Sequence, residues 1–573
     1  MSDKIKRKLI LLMLTSGLAV SSLVTFSMNT FAENPGEHSN VASPSLISIQ
    51  GDSKRCMKSR KTDELKVNLQ EGAELVGFFS ADPNVAAVNE NTGEVTAVGA
   101  GETKIKAIAK KNGEEYTANC DIIVTGLVAQ DITIGENDVY VKGKLYTSDG
   151  AKDIDGCVDD EGKIGNVDIS DFINKSKEID LLNIDDNLNI KEEDSYFSKV
   201  IIRDSLTIPN GGKLDIQSGV TLDAEYLNTL NVNEGGIVNV EGSLSSVTGT
   251  VNINGTLNVN GFLDSGRSAT ININNGGTLN VLQKGTLSHG GDLNINGTLN
   301  VENKLEVTFY GTLNVLNGGT LNVNNNGWLN VHSEKQECTL NINEGGILNV
   351  NNGGLLYIIS KGTLNIHNKG VLNILHGGQL KGDIHLNVHN GGKFEVYGTL
   401  DGCLSRSNIE GQLDVFNGGV FNCSRCYEFK VTNGGILNIF SGAKLNTDGE
   451  FSVLHGGIFN VCGILNSNSE SRFFVESGGN LHIQKGGKLN IQENSKFFLA
   501  QDGTFNINCG ELNVKGNLFV FSGAILSVFE GSTLTVQNQG TLSVEAGGTL
   551  KGNINRQKEG NVTGVNNNQI VNV

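Results

Sequence analysis

From about residue 200 the chain repeats one short phrase, and that repetition limits its possible folds more than any other feature. Leu313, Leu321 and Leu329 are spaced by eight residues. So are Leu340, Leu348, Leu356, Leu364, Leu372 and Leu380, and again Leu518, Leu526, Leu534, Leu542 and Leu550. Two positions after most of them stands a second apolar residue: Val315, Val323, Val331, Ile342, Val350, Ile358, Ile366 and Ile374. Side chains alternate across a strand, so Leu-x-Val points both apolar groups to one face and sends Thr and Asn to the other. The Asn-Gly and Gly-Gly pairs between phrases supply the positive φ of tight turns. So short a strand cannot bury its own Leu-Val pair, but a stack of many can build one continuous core.

A second spacing sharpens the pattern. Val251, Leu257 and Leu263 are six apart, as are Leu287, Leu293, Leu299 and Leu305. Six and eight are both even, so the inward face never flips. The odd step from Leu329 to Leu340, across "HSEKQEC", needs a bulge or an excursion. A long antiparallel meander would leave an apolar sheet face bare. A calcium β-roll wants Asp in its turns, where this chain has Asn or Gly. A left-handed hexapeptide helix explains the sixes but not the eights. The expected fold is all-β, with a right-handed parallel β-helix over residues 201–557. It is mostly three-sided, with coils of roughly 22–24 residues and about 15 coils in a rod ~70 Å long.

The rest of the chain sets the context. It has 573 residues, a net charge of -18, 74 Gly, only 4 Pro and 18% charged residues. The acidic balance argues against a nucleic-acid partner, and no stretch after the N-terminus is apolar for long enough to span a membrane. Lys4, Lys6, Arg7 and Lys8 precede "LILLMLTSGLAVSSLVTF", and Thr30-Phe31-Ala32 offers small residues at a cleavage site. Residues 1–32 therefore read as a signal peptide, with 33–45 a flexible leader. The destination is secreted or cell-surface. Nine cysteines leave at least one outside any intrachain pair. The lone Cys423-x-x-Cys426 lacks the second pair a zinc site wants, so it reads as structural or incidental.

Between the leader and the repeats the chemistry changes. Over 46–126 the strand-like runs "EVTAVGAGETKIKAIA" and "YTANCDIIVTG" are punctuated by Asp82-Pro83-Asn84 and Asn91-Thr92-Gly93, as in a β-sandwich. Ser80, Asp82, Val85, Ala86, Val88, Gly93, Val95, Thr96, Ala97, Gly99 and Gly101 fall in the pattern of the bacterial immunoglobulin-like group 2 domain, which this segment resembles. The resemblance implies an Ig-like β-sandwich of the kind found in bacterial surface adhesins. With terminal strands side by side, it also implies a Cys56–Cys120 disulfide. Residues 127–200 read as an irregular acidic connector and solenoid cap. Asp159, Glu161, Gly162 and Asp168 loosely follow a calcium loop, but Cys157 would fill its first position, which wants a hard oxygen. Residues 558–573 read as a C-terminal tail, and "NINRQKEGNVTG" at its start, with Arg556, Lys558 and Glu559, reads as a cap on the rod. The repeat zone resembles the passenger domains of autotransporter adhesins, though no translocator barrel follows it here, so the expectation is a simple exported protein.

Parallel β-helices include polysaccharide lyases and hydrolases, which gather carboxylates and bases in a groove. The densest polar cluster is Asp383, His385 and His389. His367, His376 and His385 stand nine apart and drift against the register of eight. Asp401, Arg406, Glu410 and Arg425 lie where the repeat loosens. None of these assembles by spacing alone into catalytic, cofactor-binding or metal residues, so no such site and no cofactor is assigned. The expected function is adhesion or structural display by an Asn/Thr-rich rod. Its partners would be host or matrix glycans or cell-surface components, with self-association through the rod ends. The alternative is a carbohydrate-active β-helix enzyme.

Overall fold

The computed structural model describes residues 46–573, apart from 136–138, 160, 171, 178–197, 333–337, 405, 425–427, 455 and 477. The signal peptide and leader read from the sequence lie outside the described residues.

The first module follows from strand alternation. Gly101–Lys111 buries every second residue, among them Ile105, Ala107 and Ala109. It pairs antiparallel with Glu114–Val124 from Gly101↔Val124 to Lys111↔Glu114. Asn112 and Gly113 make the turn with φ of 55° and 87°, the two positive values a two-residue hairpin requires. Glu74–Ser80 and Lys54–Met57 complete a four-stranded sheet, faced by Thr62–Glu64, Glu94–Ala97 and Ala86–Val88. Phe78, Val95, Ile105, Cys120 and Ile122 fill the space between.

The Cys56–Cys120 disulfide does not form; both are free thiols. Cys56 sits opposite Ile123, three residues along from Cys120. It is also exposed while Cys120 is fully buried. Three residues of strand are about 10 Å, beyond the ~7 Å Cα limit for a bridge. Cys423 is disulfide-bonded, while Cys426 lies outside the described residues.

From Asp204 on, each strand pairs in parallel with a strand one turn later, usually the third after it and the second where a long strand such as Leu355–Ile366 spans two faces. Thr312–Val315 stacks between Asp292–Ile295 and Thr339–Ile342, with Leu293, Leu313 and Leu340 in one column. Three strands therefore make one turn, and the chain forms a parallel β-solenoid of about 16 turns. We call the faces one, two and three after the strands Thr312–Val315, Thr320–Val323 and Trp328–His332. The inward Leu and Val columns are solvent-free along the whole core. Turn length varies more than the sequence suggested. Leu305 stacks 18 residues after Leu287, and Leu340 stacks 27 after Leu313. In the later turns Phe enters the core: Phe429, Phe451, Phe473 and Phe497 stack at 4.6, 4.8 and 4.7 Å.

The two glycines of one corner have different reasons. Gly318 turns the chain with φ of 80°, and a Cβ there would meet nothing closer than the Asn296 carbonyl oxygen at 3.9 Å. At Gly319 a Cβ would lie 1.9 Å from the carbonyl oxygen of Ile295 in the turn before. Conformation selects the first glycine and close stacking selects the second.

Much of the start of the connector, read as irregular over residues 127–200, is strand: Gly126–Ile134, Val139–Thr147 and Gly150–Cys157. Gly126–Ile134 pairs in parallel first with Leu206–Thr207 of face one and then with Lys213–Ile216 of face two. A bulge between Ala129 and Asp131 lets it turn that corner. The bulge also shifts the apolar phase, from Leu127 and Ala129 to Ile132 and Ile134, which hides the strand from a period-two reading. Val139–Thr147 and Gly150–Cys157 extend it as an antiparallel sheet. Asp159 and Asp168 spend their carboxylates on local turns: Asp159 accepts from the amides of Glu161 and Lys163, and Asp168 from Ser170. At the other end, Asn561–Thr563 and Ile570–Asn572 continue the stack.

The Ig-like module is seated on the first turns. Ser59 Oγ lies 2.6 Å from Thr229 Oγ1 and Asn231 Nδ2 donates to the Val98 carbonyl at 3.5 Å. Ser205 Oγ donates to Thr125 O at 3.1 Å. Gly126 permits this approach: a Cβ there would meet Ser205 Oγ at 2.3 Å and its carbonyl oxygen at 2.5 Å, at φ of 145°. Gly126→Ala is expected to cost about 2–3 kcal/mol. Hydrogen exchange should then rise at residues 98–99 and 205–231 while the solenoid centre stays protected.

Candidate functional site

The outward side chains decide what the rod offers to a partner. On face one, Asn252, Asn272, Asn294, Asn314, Asn341, Asn365 and Asn387 each donate Nδ2 to the Oδ1 of the Asn one turn earlier. The row begins at Asn231, and its bonds are 2.9–3.0 Å long. Face two repeats this through Asn258, Asn280, Asn300, Asn322, Asn349 and Asn373. Its first member, Asn239, donates to Asp215 at 2.8 Å. A later row on face three runs from Asn422 through Asn446, Asn466 and Asn490 to Asn513.

These are amide ladders of the cross-β kind. Each amide in the interior of a row uses one donor and one acceptor within it, so the Asn rows bind one another before they bind anything else. Because every donor faces the N-terminal end, a ladder can begin on an acceptor alone, and carboxylates stand at two such starts. Asp215 accepts from Asn239, and Asp414 accepts from Asn438 at 2.7 Å. Between them the row on face two is interrupted. The Asn373 oxygen is buried without a hydrogen bond, because the residue stacked on it is Glu395, which when ionised has no proton to give. Glu395→Asn should give the Asn373 oxygen a donor, move the break one turn on to Asp414, and raise stability by about 1 kcal/mol. Asn314→Asp, in mid-ladder, should lower it by about 1–3 kcal/mol. Urea midpoints of the two variants against the parent check both signs.

Other outward columns are aromatic. Tyr397, Phe416 and Phe440 stack at 4.4 and 4.8 Å, and Phe474, Phe498 and Phe519 at 4.9 and 5.4 Å. Their planes lie within 14° of parallel, so the rings cover one another and turn their edges outward.

The polar residues picked out by sequence do not converge. Asp401 is on face three, paired with Lys381 and Asn422. Glu410 follows a face-one strand and accepts from Asn433 at 2.6 Å. Arg406 is exposed in a left-handed turn with φ of 54°, and Arg425 lies outside the described residues. His385 pairs with Thr363 and Asp383 is exposed. His376 meets the edge of Tyr397. His367 meets neither His376 nor His385; it stacks on His389 with centroids 4.8 Å apart. That pair is separated by one turn of 22 residues, a spacing invisible until the register is known. Among the described residues no three of His, Cys, Asp or Glu stand together as a metal site.

One Ser–His pair escaped notice in the sequence. His289 occupies an inward Val position, and its Nδ1 lies 2.6 Å from Ser265 Oγ. The distance suits nucleophile activation, but both side chains are sealed in the core, His289 at 0% exposure and Ser265 at 3%. Burial drives the His289 pKa from 6.5 down to about 4. Between those values the unfolded chain binds a proton that the fold excludes, so stability falls as pH drops from 6.5 towards 4 and levels off below. Relative to His289→Leu, the parent should lose about 3 kcal/mol over that window. Denaturant midpoints of both proteins from pH 7 to pH 4 measure it.

The clefts are shallow and mixed in character. One of about 830 Å³ lies where the module meets the rod, lined by Lys58, Arg203, Asp204, Glu225, Tyr226 and Asn228 among others. Arg203 lies over the Tyr226 ring at 4.6 Å. Another, of about 470 Å³, includes His482, Lys485, Asn506, Cys509 and Phe529.

Residues 59–118 match the family model of the bacterial Ig-like domain (group 2), so the first module is the one its turn and strand residues resemble. Among solved structures, a similar chain is the TibC-catalysed hyper-glycosylated fragment 55–350 of TibA. It is 16% identical with a TM-score of 0.22, over 64% of this chain and 93% of that one. No curated protein matches the chain significantly. No helix among the described residues is long and apolar enough to cross a membrane.

Proposed function

We propose that this is an exported protein of the cell surface or extracellular space that works by adhesion or structural display. The observation that carries the reading is the rigid seating of an Ig-like module on a continuous solenoid. The Ser59–Thr229 and Asn231–Val98 contacts tie the module to the first turns, and amide ladders stiffen the faces beyond. Such a body holds a binding module at a fixed distance and orientation from its far end. The partners that fit are host or matrix glycans or other cell-surface components, met by the module, the cleft at its base and the outward Thr, Lys and aromatic positions.

The purified protein applied to a panel of immobilised polysaccharides and matrix components should be retained by at least one and cleave none. Cleavage of any polymer would replace this reading with a carbohydrate-active enzyme. Export is tested separately: the chain expressed with residues 1–32 should appear outside the cytoplasm with Glu33 as its first residue, and deletion of those residues should retain it inside.

A further inference from the structure

Two imidazoles stand one above the other at a corner of the rod. His367 and His389 follow Ile366 and Val388, which are directly paired in adjacent turns. Their backbones are locked: His367 N donates to Ile342 O and His389 N to Ile366 O, each at 2.9 Å. The rings are stacked with centroids 4.8 Å apart and planes 7° from parallel, and both are half-exposed. Neither ring nitrogen has a protein hydrogen bond among the described residues, in a surface where most amides do. The equivalent corner one turn later is Glu410, whose amide donates to Val388 O at 2.8 Å.

The chemistry of this pair is that of a metal ligand set. Imidazole binds as the neutral base, and burial together with the neighbouring ring lowers the pKa of His367. A metal holds imidazole nitrogen at about 2.0–2.1 Å, so two donors must approach within ~4 Å of each other. The nitrogen lone pairs lie in the ring planes, so the two rings must turn out of their stack about Cα–Cβ and Cβ–Cγ to face one ion; the backbone pairing need not move. The carboxylate of Glu410 adds negative potential one turn away. Imidazole donors select Cu²⁺, Ni²⁺ and Zn²⁺ over Ca²⁺ and Mg²⁺. We propose that His367 and His389 form a two-point site for a divalent transition-metal ion, with water completing its coordination. The proposal is independent of adhesion, since it rests on this corner alone.

The test is Cu²⁺ titration of the full chain, with accessible thiols alkylated beforehand, followed by electron paramagnetic resonance and calorimetry. The parent should show a site with two nitrogen ligands. His367→Asn and His389→Asn should each weaken it at least tenfold and leave one nitrogen, whereas His376→Asn and His385→Asn should leave it unchanged. Ca²⁺ should not compete. Equal Cu²⁺ binding by the parent and the His367→Asn/His389→Asn double variant would overturn the site, as would an equal loss in His385→Asn. Unchanged circular dichroism of each variant assigns the effect to ligation and not to folding.

Discussion

Everything in this rod depends on register between successive turns. Parallel backbone pairing holds each strand about 4.8 Å above the one it pairs with a turn earlier, and it fixes which residue lies over which. Once Leu313 lies over Leu293 and under Leu340, Val315 and Asn314 have no freedom left: one column is core and the other is outward amide. The glycine corners serve the same end. Gly319 lets the chain pass close to the turn below, and the loops between strands absorb insertions. Turns separated by 18 and by 27 residues therefore stack with equal fidelity.

Identical uncharged side chains in register reinforce one another. Leu and Val columns remove water from the core, Phe451, Phe473 and Phe497 stack face to face, and Asn side chains bond from turn to turn. The same logic makes exceptions costly. Glu395 in an Asn row strands the oxygen of Asn373, and His289 in a Val column must stay neutral to remain buried. The Ig-like module obeys a different constraint, the pleat of a two-sheet sandwich. It joins the rod through contacts such as Ser59–Thr229, with Gly99 and Gly126 permitting the closest approach.

The sequence made the solenoid legible because its signal is local: two apolar residues per strand and a glycine corner, many times over. It made the Ig-like module legible through turn residues at fixed offsets. It concealed whatever depended on the length of a turn. The nine-residue spacing of His367, His376 and His385 drifts against the register of eight, and the neighbour of His367, His389, could not be read from it. The Asn rows were visible as outward residues, but their mutual bonding was not, since the partner of Asn314 lies 20 residues back and 27 ahead. The capping strand Gly126–Ile134 was hidden by one bulge. The Cys56–Cys120 pairing came from the layout of a sandwich, and failed on a three-residue offset and the alternation of the pleat.

The shared direction of the amide ladders has an electrical consequence. Each Asn side chain points its N–H towards the Ig-like module and its oxygen away. Amide dipoles of about 3.5 D each therefore add along the rod instead of cancelling. The sum is a side-chain counterpart of the helix macrodipole, carried on the surface of a β-structure, with its positive pole at the seated module. Asp215 and Asp414 stand at positive poles of this kind, as acidic residues do at the first turn of a helix. The rod thus has an electrical head and tail as well as a chemical one, and two such rods lying side by side have a reason to prefer opposite directions.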